Sequence, residues 1–366
     1  CIRDSDTSDL SFVLDEIEIR QLQATDVGEL FQKFPGVHLK SYGGLGGLKT
    51  VSVRSLGANH SSIVIDGFQA NNSQTGQVNL GQLQTYNVVS VADARKIESK
   101  LYTPVSSQVF ANSYFIQSFE NTYETDDTVQ IRANLGIGSF DRYDSYLAGK
   151  LCAKHLMVSA FGGYRVAKGE YPYSYKNGEQ LVKEHRLNND YKDLNVGITA
   201  GVRFGKFVSR VGFRQKNIAQ GLPGAVIFYG QTPDSRLGTD TKTIFADLTM
   251  NGNLSARLYF NGEISSLDYL DPTYLNNSGG LDINYLNRLA TVGLNVTYNI
   301  ERWSFQAGTE EQISDLSVRT VEMEVPVRYH NYSNVGASTY GKFGSVELQL
   351  SGQYVSEQHK VGGVAN

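Results

Sequence analysis

The residues whose types and spacing could do chemistry are few, and none completes a catalytic pattern. The glycine-rich loop of residues 42–47, Tyr-Gly-Gly-Leu-Gly-Gly, could cradle a phosphate. However, it has neither the Gly-x-Gly-x-x-Gly spacing nor a Gly-Lys-Ser/Thr ending, so nucleotide binding is rejected. Arg54 and Asp66 each directly follow a short β-type run and invite an acid–base interpretation. No Gly-x-Ser-x-Gly elbow is present, and we expect no catalytic residues.

Metal-ligating residues are also scattered along the chain. No His-Glu-x-x-His pair or Cys/His cluster is formed by the six histidines, His38, His60, His155, His185, His330 and His359. The acidic residues of the predicted loops do not have the spacing of a calcium-binding loop. They are Asp234, Asp240, Asp268 and Asp271. The sequence therefore predicts no metal site and no cofactor.

Composition points away from a soluble enzyme. Glycine (37) and tyrosine (22) are plentiful among 366 residues, while proline (7) and cysteine (2) are scarce, as is common where many strands meet lipid through aromatic girdles. A net charge of −4 gives no basic field, so nucleic acid is excluded as a partner. Cys1 is either an acylated lipoprotein cysteine or simply where the visible chain begins. Cys152 lies in a strand pattern and is predicted to be a small packing residue.

Three regions differ in their sequence pattern. Residues 1–20 are acidic and irregular, residues 21–122 mix one short helix with short strands and glycine turns, and residues 123–366 read as strands alone. Asp26 to Phe34 has apolar residues at helical spacing, a capping aspartate and a Pro-Gly stop. Short strands are predicted at Thr50–Arg54 and Ser62–Ile65.

The third region carries the strongest periodic signal in the chain. Arg257 and Tyr259 alternate with Leu258 and Phe260, so that the predicted strand has one polar and one apolar face. We predict about eleven such strands of about eleven residues, a length that suits a tilted bilayer crossing better than a soluble β-sandwich. The first predicted strand is Thr128–Ser139 and the last is Lys342–Ser356.

Turns and loops alternate along this region in an asymmetric way. Tight turns are predicted at Lys154-His155, Gly205-Lys206, Asn251-Gly252-Asn253, Asn299 to Arg302 and Gly341-Lys342. Longer polar loops are predicted at residues 166–190, 217–240, 267–283 and 314–325. Short turns at one end and long loops at the other are typical of outer-membrane barrels. An open half-cylinder would leave unpaired edges in lipid, so we expect further strands beyond this sequence.

An ordered set of motifs resembles a known family. Phe34-Pro35-Gly36-Val37, then Val51-Ser52-Val53-Arg54, then Ile63-Val64-Ile65-Asp66-Gly67 is similar to the plug of TonB-dependent outer-membrane receptors, especially their cobalamin-transporter branch. The resemblance implies a transmembrane antiparallel β-barrel of 22 strands, about half of them present here, with an N-terminal α+β plug domain in its lumen. It also implies a bacterial outer-membrane location. Two features depart from the family pattern: no strand separates the residues near Arg20 from the plug helix, and residues 86–118 lack the usual glycine-rich end of the plug.

The resemblance implies a TonB-binding segment near the start of the chain. Leu14, Asp15, Glu16, Ile17, Glu18 and Ile19 are similar to the TonB box, a short peptide that adds as a strand to the periplasmic energy-coupling protein TonB. The alternative for this segment is an ordinary edge strand or a disordered tail.

The resemblance also implies residues at the top of the plug and in its interior. Substrate would meet the plug apex at Tyr42, Leu45, Asn71, Asn72 and Gln74. Arg54 and Asp66 would form structural or gating ion pairs. Five aromatic residues lie in or beside the predicted long loops: Tyr171, Tyr173, Tyr175, Phe228 and Tyr229. They could stack on a planar ligand, or they could belong to the aromatic girdle at the membrane interface.

Three functional hypotheses follow. The first is energised import of a scarce, large nutrient, cobalamin-like first and haem or an iron chelate next, with TonB and outer-membrane lipid as partners. The second is a receptor-like barrel that serves as a structural or accessory subunit of an outer-membrane complex, with a surface lipoprotein as a further partner. The third is a soluble β-rich binding protein, and it predicts that the protein is soluble without detergent.

Overall fold

The fold is known from a computed structural model of the chain. It describes residues 12–54, 56–70, 76–93, 100–122, 127–223, 234–272, 281–300, 302–320, 325–343 and 346–364. No helix within these ranges has both the length and the apolar character needed to cross a membrane.

The N-terminal part of the chain is a small α+β unit. Its helices are α1 (Glu16–Leu22) and α2 (Val27–Leu30), and its strands are β1 (Val13–Leu14), β2 (Val37–Tyr42), β3 (Leu48–Val53), β4 (Ser61–Ile65), β5 (Phe68–Ala70), β6 (Val88–Asp93) and β7 (Asn112–Ser118). Five strands form one sheet in the order β1-β6-β7-β4-β5, in which β4 and β7 are parallel. Strands β2 and β3 form a separate antiparallel hairpin.

The core of this unit lies between the sheet and the two helices. Leu30, Phe31 and Val91 are fully buried there. The predicted helix at Asp26 to Phe34 is present, but it is shorter than expected. Asp26 caps α2, and after Leu30 the chain tightens into a 3₁₀ turn, Phe31–Lys33, before Pro35.

The described residues from 127 onwards form thirteen strands. They are β8 (Thr128–Gly138), β9 (Arg142–Cys152), β10 (Leu156–Ala167), β11 (Tyr171–Asn177), β12 (Gln180–Arg186), β13 (Tyr191–Phe204), β14 (Phe207–Leu222), β15 (Ser235–Met250), β16 (Leu254–Asp271), β17 (Leu281–Ile300), β18 (Trp303–Thr320), β19 (Pro326–Phe343) and β20 (Val346–Val364). Eleven of them make one antiparallel sheet that runs from β8 to β20 without β11 and β12, which pair only with each other. The prediction of about eleven barrel strands in this part of the chain is confirmed.

The two faces of the large sheet differ as the alternation predicts. On β8 the outward side chains are apolar and exposed, with Leu135 86% and Ile137 82% accessible. On β16, Arg257 faces the other way and is completely buried against the plug. An apolar outer face and a polar inner face that covers a folded plug are what lipid outside and protein inside require. The transmembrane β-barrel fold predicted for this region is confirmed.

Connections between the strands follow the predicted asymmetry, with two differences. Four predicted tight turns fall between β9 and β10, β13 and β14, β15 and β16, and β17 and β18. The fifth, Gly341-Lys342, was placed too early, because β19 continues to Phe343 in register with β20. The strands also reach up to 20 residues, as in β17, and so extend further into the predicted loops than the sequence indicated.

Candidate functional site

The turn between β4 and β5 places a carboxylate against the barrel wall. Asp66 and Gly67 both have positive φ angles, +55° and +88°, which make the turn sharp. Asp66 is buried and accepts hydrogen bonds from the Ser118 amide (2.8 Å), the Ser118 hydroxyl (2.8 Å) and Asn121 Nδ2 (2.9 Å). It also forms an ion pair with Arg214 of β14. The plug carboxylate is thus held by both the plug and the barrel.

The environment of Asp66 fixes its charge. Complete burial would raise the pKa of this carboxyl group, but the charge of Arg214 and the hydrogen bonds from Arg214 and Ser118 outweigh burial and hold the pKa below its usual range. The carboxylate therefore stays ionised and available to the barrel arginine at neutral pH.

Two further barrel arginines donate hydrogen bonds to the backbone of the same turn. Arg257 donates to the Gly67 carbonyl oxygen (2.9 Å), and Arg210 donates to the Asp66 carbonyl oxygen (3.4 Å). Both guanidinium groups also donate to Asp247 of β15, which offsets part of their charge. Because this network is almost completely buried, each charge depends on its partners.

A second barrel contact lies where the plug leads into the barrel. Glu120 is buried and accepts a hydrogen bond from the Tyr146 hydroxyl on β9 (2.5 Å). Burial raises the pKa of this carboxyl group despite the hydrogen bond. Next to it, Phe119 packs between Arg132 and Lys150, whose charged groups lie 4.1 and 4.4 Å from its ring centroid.

The opposite wall holds the plug through uncharged hydrogen bonds. Asn295 of β17 donates to the carbonyl oxygens of Leu101 (3.0 Å) and Thr103 (2.8 Å). Gln353 of β20 donates to the carbonyl oxygen of Val105 (2.9 Å). The plug is therefore anchored from β9 to β20, along most of the barrel sheet.

The predicted apex loop reaches the long-loop end of the barrel. It is carried by the β2–β3 hairpin, and a Cβ atom on Gly46 would lie only 2.2 Å from Tyr191 and 2.6 Å from Gln220. Tyr191 begins β13 and Gln220 is near the end of β14, both next to long loops. Tyr42 is 64% exposed and Leu45 is half-buried, so the tyrosine can be reached from the outside. Asn71, Asn72 and Gln74 lie outside the described residues.

The predicted aromatic loop residues are only partly described. Tyr171, Tyr173 and Tyr175 lie on β11, in a hairpin at the long-loop end, where Tyr173 donates a hydrogen bond to Glu184 (2.7 Å). The rings of Tyr173 and Tyr175 stack with centroids 6.2 Å apart. Phe228 and Tyr229 lie outside the described residues.

The predicted TonB box differs from the structure. Leu14 ends β1, which pairs with β6, and Asp15 caps helix α1 through a reciprocal pair of hydrogen bonds with Glu18. Leu14 and Ile19 are buried in the plug core. Leu14 therefore lies in a short strand and Glu16 to Ile19 lie in a further helix, so that residues 14–19 are not a free extended segment in this structure. The predicted division at residue 20 correspondingly falls inside α1.

Arg54 also differs from its predicted role. It lies at the turn after β3 with a positive φ of +48°, and it is exposed. Its amide donates to the Gly36 carbonyl oxygen (3.0 Å), so its backbone closes the plug turn while its side chain faces away from the core.

Sequence reasoning missed the barrel side of this interface. Arg210, Arg214 and Arg257 lie on the polar face of their strands, as the alternation indicates, but their plug partners were not predicted. A charged residue on the inner face of a barrel that holds a folded domain is a usable signal, since such a charge must find a partner inside. The fold and site together define a plugged outer-membrane β-barrel.

Comparison with known proteins identifies a matching domain family. Residues 3–102 match the model of the TonB-dependent Receptor Plug Domain. A 129-residue stretch is 25% identical to the vitamin B12 transporter BtuB of Vibrio vulnificus, covering 35% of this chain and 20% of that protein. The N-terminal part of this chain is therefore a plug domain of the kind found in TonB-dependent receptors, and the chain is similar to receptors of the bacterial outer membrane.

Solved structures share the fold at low identity. The copper transporter OprC superposes with a TM-score of 0.73 at 12% identity, over 98% of this chain and 56% of that one. The ferripyoverdine receptor of Pseudomonas aeruginosa gives 0.69 at 13% identity, over 96% and 52%. The alcaligin receptor FauA of Bordetella pertussis gives 0.63 at 12% identity, over 98% and 59%. This chain therefore spans little more than half the length of the structures it matches.

Proposed function

We propose that the protein imports a scarce, large nutrient across the outer membrane, with the plug displaced by work done through TonB. The observation that carries the proposal is the buried charge network between the plug turn and the barrel, formed by Asp66, Arg214, Arg257 and Asp247. Removing one partner from a buried ion pair costs on the order of 3–5 kcal/mol, so several such contacts make spontaneous plug release rare. Passage through this barrel then needs external work.

The substrate proposed first is cobalamin-like, with haem or an iron chelate next. The similarity to a vitamin B12 transporter supports the first choice, and the shared fold with a ferripyoverdine receptor supports the second. The accessible Tyr42 at the apex and the paired Tyr173 and Tyr175 offer aromatic faces on which a planar ligand can stack.

TonB is proposed to act on the N-terminal side of the plug. Among the described residues, the short strand β1 pairs with β6 through Val13 with Ala92 and Leu14 with Val91, and the Asp93 amide donates to the Phe12 carbonyl oxygen (3.0 Å). Traction on the chain before β1 would separate these pairs first and then unfold α1, which exposes the buried Ile19 and loosens the plug core. In this proposal residues 14–19 become an extended TonB partner only after the plug starts to unfold.

A disulfide lock tests the proposal directly. Val105 of the plug lies against Gly336 of β19, where an added Cβ would be 3.2 Å from Val105 Cγ1, a suitable distance for a V105C/G336C pair. We expect the oxidised pair to bind labelled cyanocobalamin or a ferric siderophore at the cell surface but not to import it, and reduction to restore uptake. The single variant V105C is the control.

Two outcomes would overturn the proposal. Undiminished uptake by the oxidised pair would show that the plug does not move for transport, and equal uptake in cells with and without TonB would show that no external work is used. A receptor that purifies with a stoichiometric protein partner and binds none of the labelled ligands would support the accessory-subunit hypothesis instead.

A further inference from the structure

Two histidines that are far apart in the sequence lie directly opposite each other on the barrel wall. His330 of β19 and His359 of β20 are register partners, and their rings stack with centroids 4.6 Å apart and planes 4° apart. Residues directly opposite on antiparallel strands have Cβ atoms about 5 Å apart, so both imidazoles can reach one ligand.

A carboxylate completes the cluster. Glu357 is two residues before His359 and therefore on the same face of β20. Its Oε1 atom lies 2.8 Å from His330 Nε2 and 3.2 Å from His359 Nε2. His330 Nε2 is buried but has no hydrogen bond of acceptable geometry, although Glu357 is close. The three groups offer ligand atoms that all lie within 4.8 Å of one another.

The cluster faces the lumen. Asn334, four residues after His330 on β19, is completely buried and accepts a hydrogen bond from Gln353, which also donates to the plug carbonyl of Val105. Because side chains alternate along a strand, His330 shares this inner face with Asn334.

The cluster also lies on the side of the long loops, above the point where the plug meets β19. His330 is 13 residues from Phe343, the short-turn end of β19. At about 3.3 Å per residue and a tilt of about 40°, this is a height of roughly 33 Å, beyond an apolar band of about 25 Å. Plug residue Val105 meets β19 at Gly336, nearer the periplasm than His330. The cluster is therefore open to the extracellular vestibule.

We propose that His330, His359 and Glu357 bind a divalent first-row transition metal ion such as Zn²⁺ or Cu²⁺. Two imidazoles and one carboxylate suit these ions, whereas calcium and magnesium prefer oxygen ligands alone. Metal–ligand bonds of about 2.1 Å need tetrahedral ligands to be roughly 3.4 Å apart, so binding requires Glu357 to move slightly away from both imidazoles and the two parallel rings to rotate towards the ion.

Three protein ligands leave a coordination position open. A metal chelate with an exchangeable position could be held there from outside, before it meets the plug. That role as a first contact for cargo rests on the proposed import function, whereas binding of the bare ion does not.

Zinc binding to the purified receptor tests the site. We expect the receptor in detergent to bind one Zn²⁺ in isothermal titration calorimetry, and H330A, H359A and E357Q each to weaken binding at least about tenfold. H185A is the matched control, because His185 is an exposed histidine on the β11–β12 hairpin outside the cluster. H359A also guards against misfolding, since His359 is 70% exposed.

Cobalt provides a second measurement. Co²⁺ in place of Zn²⁺ should give visible absorption bands from nitrogen and oxygen coordination, and H330A should lose them. Zinc binding that is equal in wild type, H330A and H359A, or no zinc binding at all, would overturn the proposal. Neither result involves TonB or uptake, so failure of the metal site and failure of the import proposal are distinguishable.

Discussion

Arg214, on barrel strand β14, forms an ion pair with Asp66, which lies at the tip of the plug turn between β4 and β5. The carboxylate is almost inaccessible to water and is held by Ser118 and Asn121 of the plug as well. One side chain therefore joins the internal structure of the plug to its attachment in the barrel.

Replacing Asp66 with alanine is expected to weaken plug attachment by about 3–5 kcal/mol, because Arg214 would be left as a half-buried charge without its partner. The measurement is the urea concentration at which the plug becomes sensitive to protease in the detergent-solubilised receptor. Asp141→Ala is the control, since its pair with Lys168 is exposed at both ends and should contribute no more than about 0.5 kcal/mol. Equal effects of the two variants would contradict the assignment.

The pH dependence of plug attachment has a definite sign. The folded-state pKa of Asp66 is lowered below its ordinary value of 3.8, so its contribution is present above that value and is lost as pH falls through the folded pKa. We expect protease sensitivity of the plug to rise below about pH 4 in the wild type and to change less with pH in Asp66→Asn. A wild-type profile that is flat down to pH 2 would contradict this.

The contribution of Glu120 to plug attachment is expected to have the opposite pH dependence. Burial raises its folded-state pKa, so its contribution is present below the unfolded value and is lost as pH rises through the folded pKa. Glu120→Gln keeps an acceptor for the Tyr146 hydroxyl and removes the buried charge. We expect its plug attachment at pH 7 to equal or exceed that of the wild type in the same protease assay, and a large loss would show that the charge itself is needed.

The apex loop can be tested with two neighbouring glycines. Gly46 has a φ of +74° and a Cβ there would collide with Tyr191, whereas nothing lies within 4 Å of a Cβ on Gly44. We expect Gly46→Ala to shift the loop and lower ligand affinity at least tenfold, and Gly44→Ala to bind ligand normally. Surface binding of labelled ligand measures both variants, and unchanged binding by Gly46→Ala would remove the apex from the ligand site.

Substitutions at Ile17 distinguish the role of α1 in the folded plug from its proposed role in binding TonB. It is 68% exposed in the first turn of the helix, where proline is tolerated. Ile17→Pro should therefore leave the plug folded but, without its amide hydrogen, impair strand pairing with TonB. We expect reduced uptake with normal surface binding, and normal uptake by Ile17→Ala. Normal uptake by both variants would place the TonB contact elsewhere.

The predicted TonB-box segment also contains a second local pattern, which predicts a helix. Asp15 and Glu18 have the spacing of a capping box, which predicts a helix start, and the structure contains both of its hydrogen bonds. The alternation of Ile17 and Ile19 with acidic residues also suits a strand. Packing decided between them, because Leu14 and Ile19 are buried together in the plug core only when α1 forms.

The sequence by itself determined the faces of the barrel strands and the order of the plug elements, because strand alternation and turn residues act between near neighbours. Only the tertiary structure decided which groups meet. Asp66 and Arg214 are 148 positions apart, and His330 faces His359 because of the register between β19 and β20. Such pairings depend on sheet register and on how the plug sits in the lumen, and register is set by the burial of whole strands, not by any one residue.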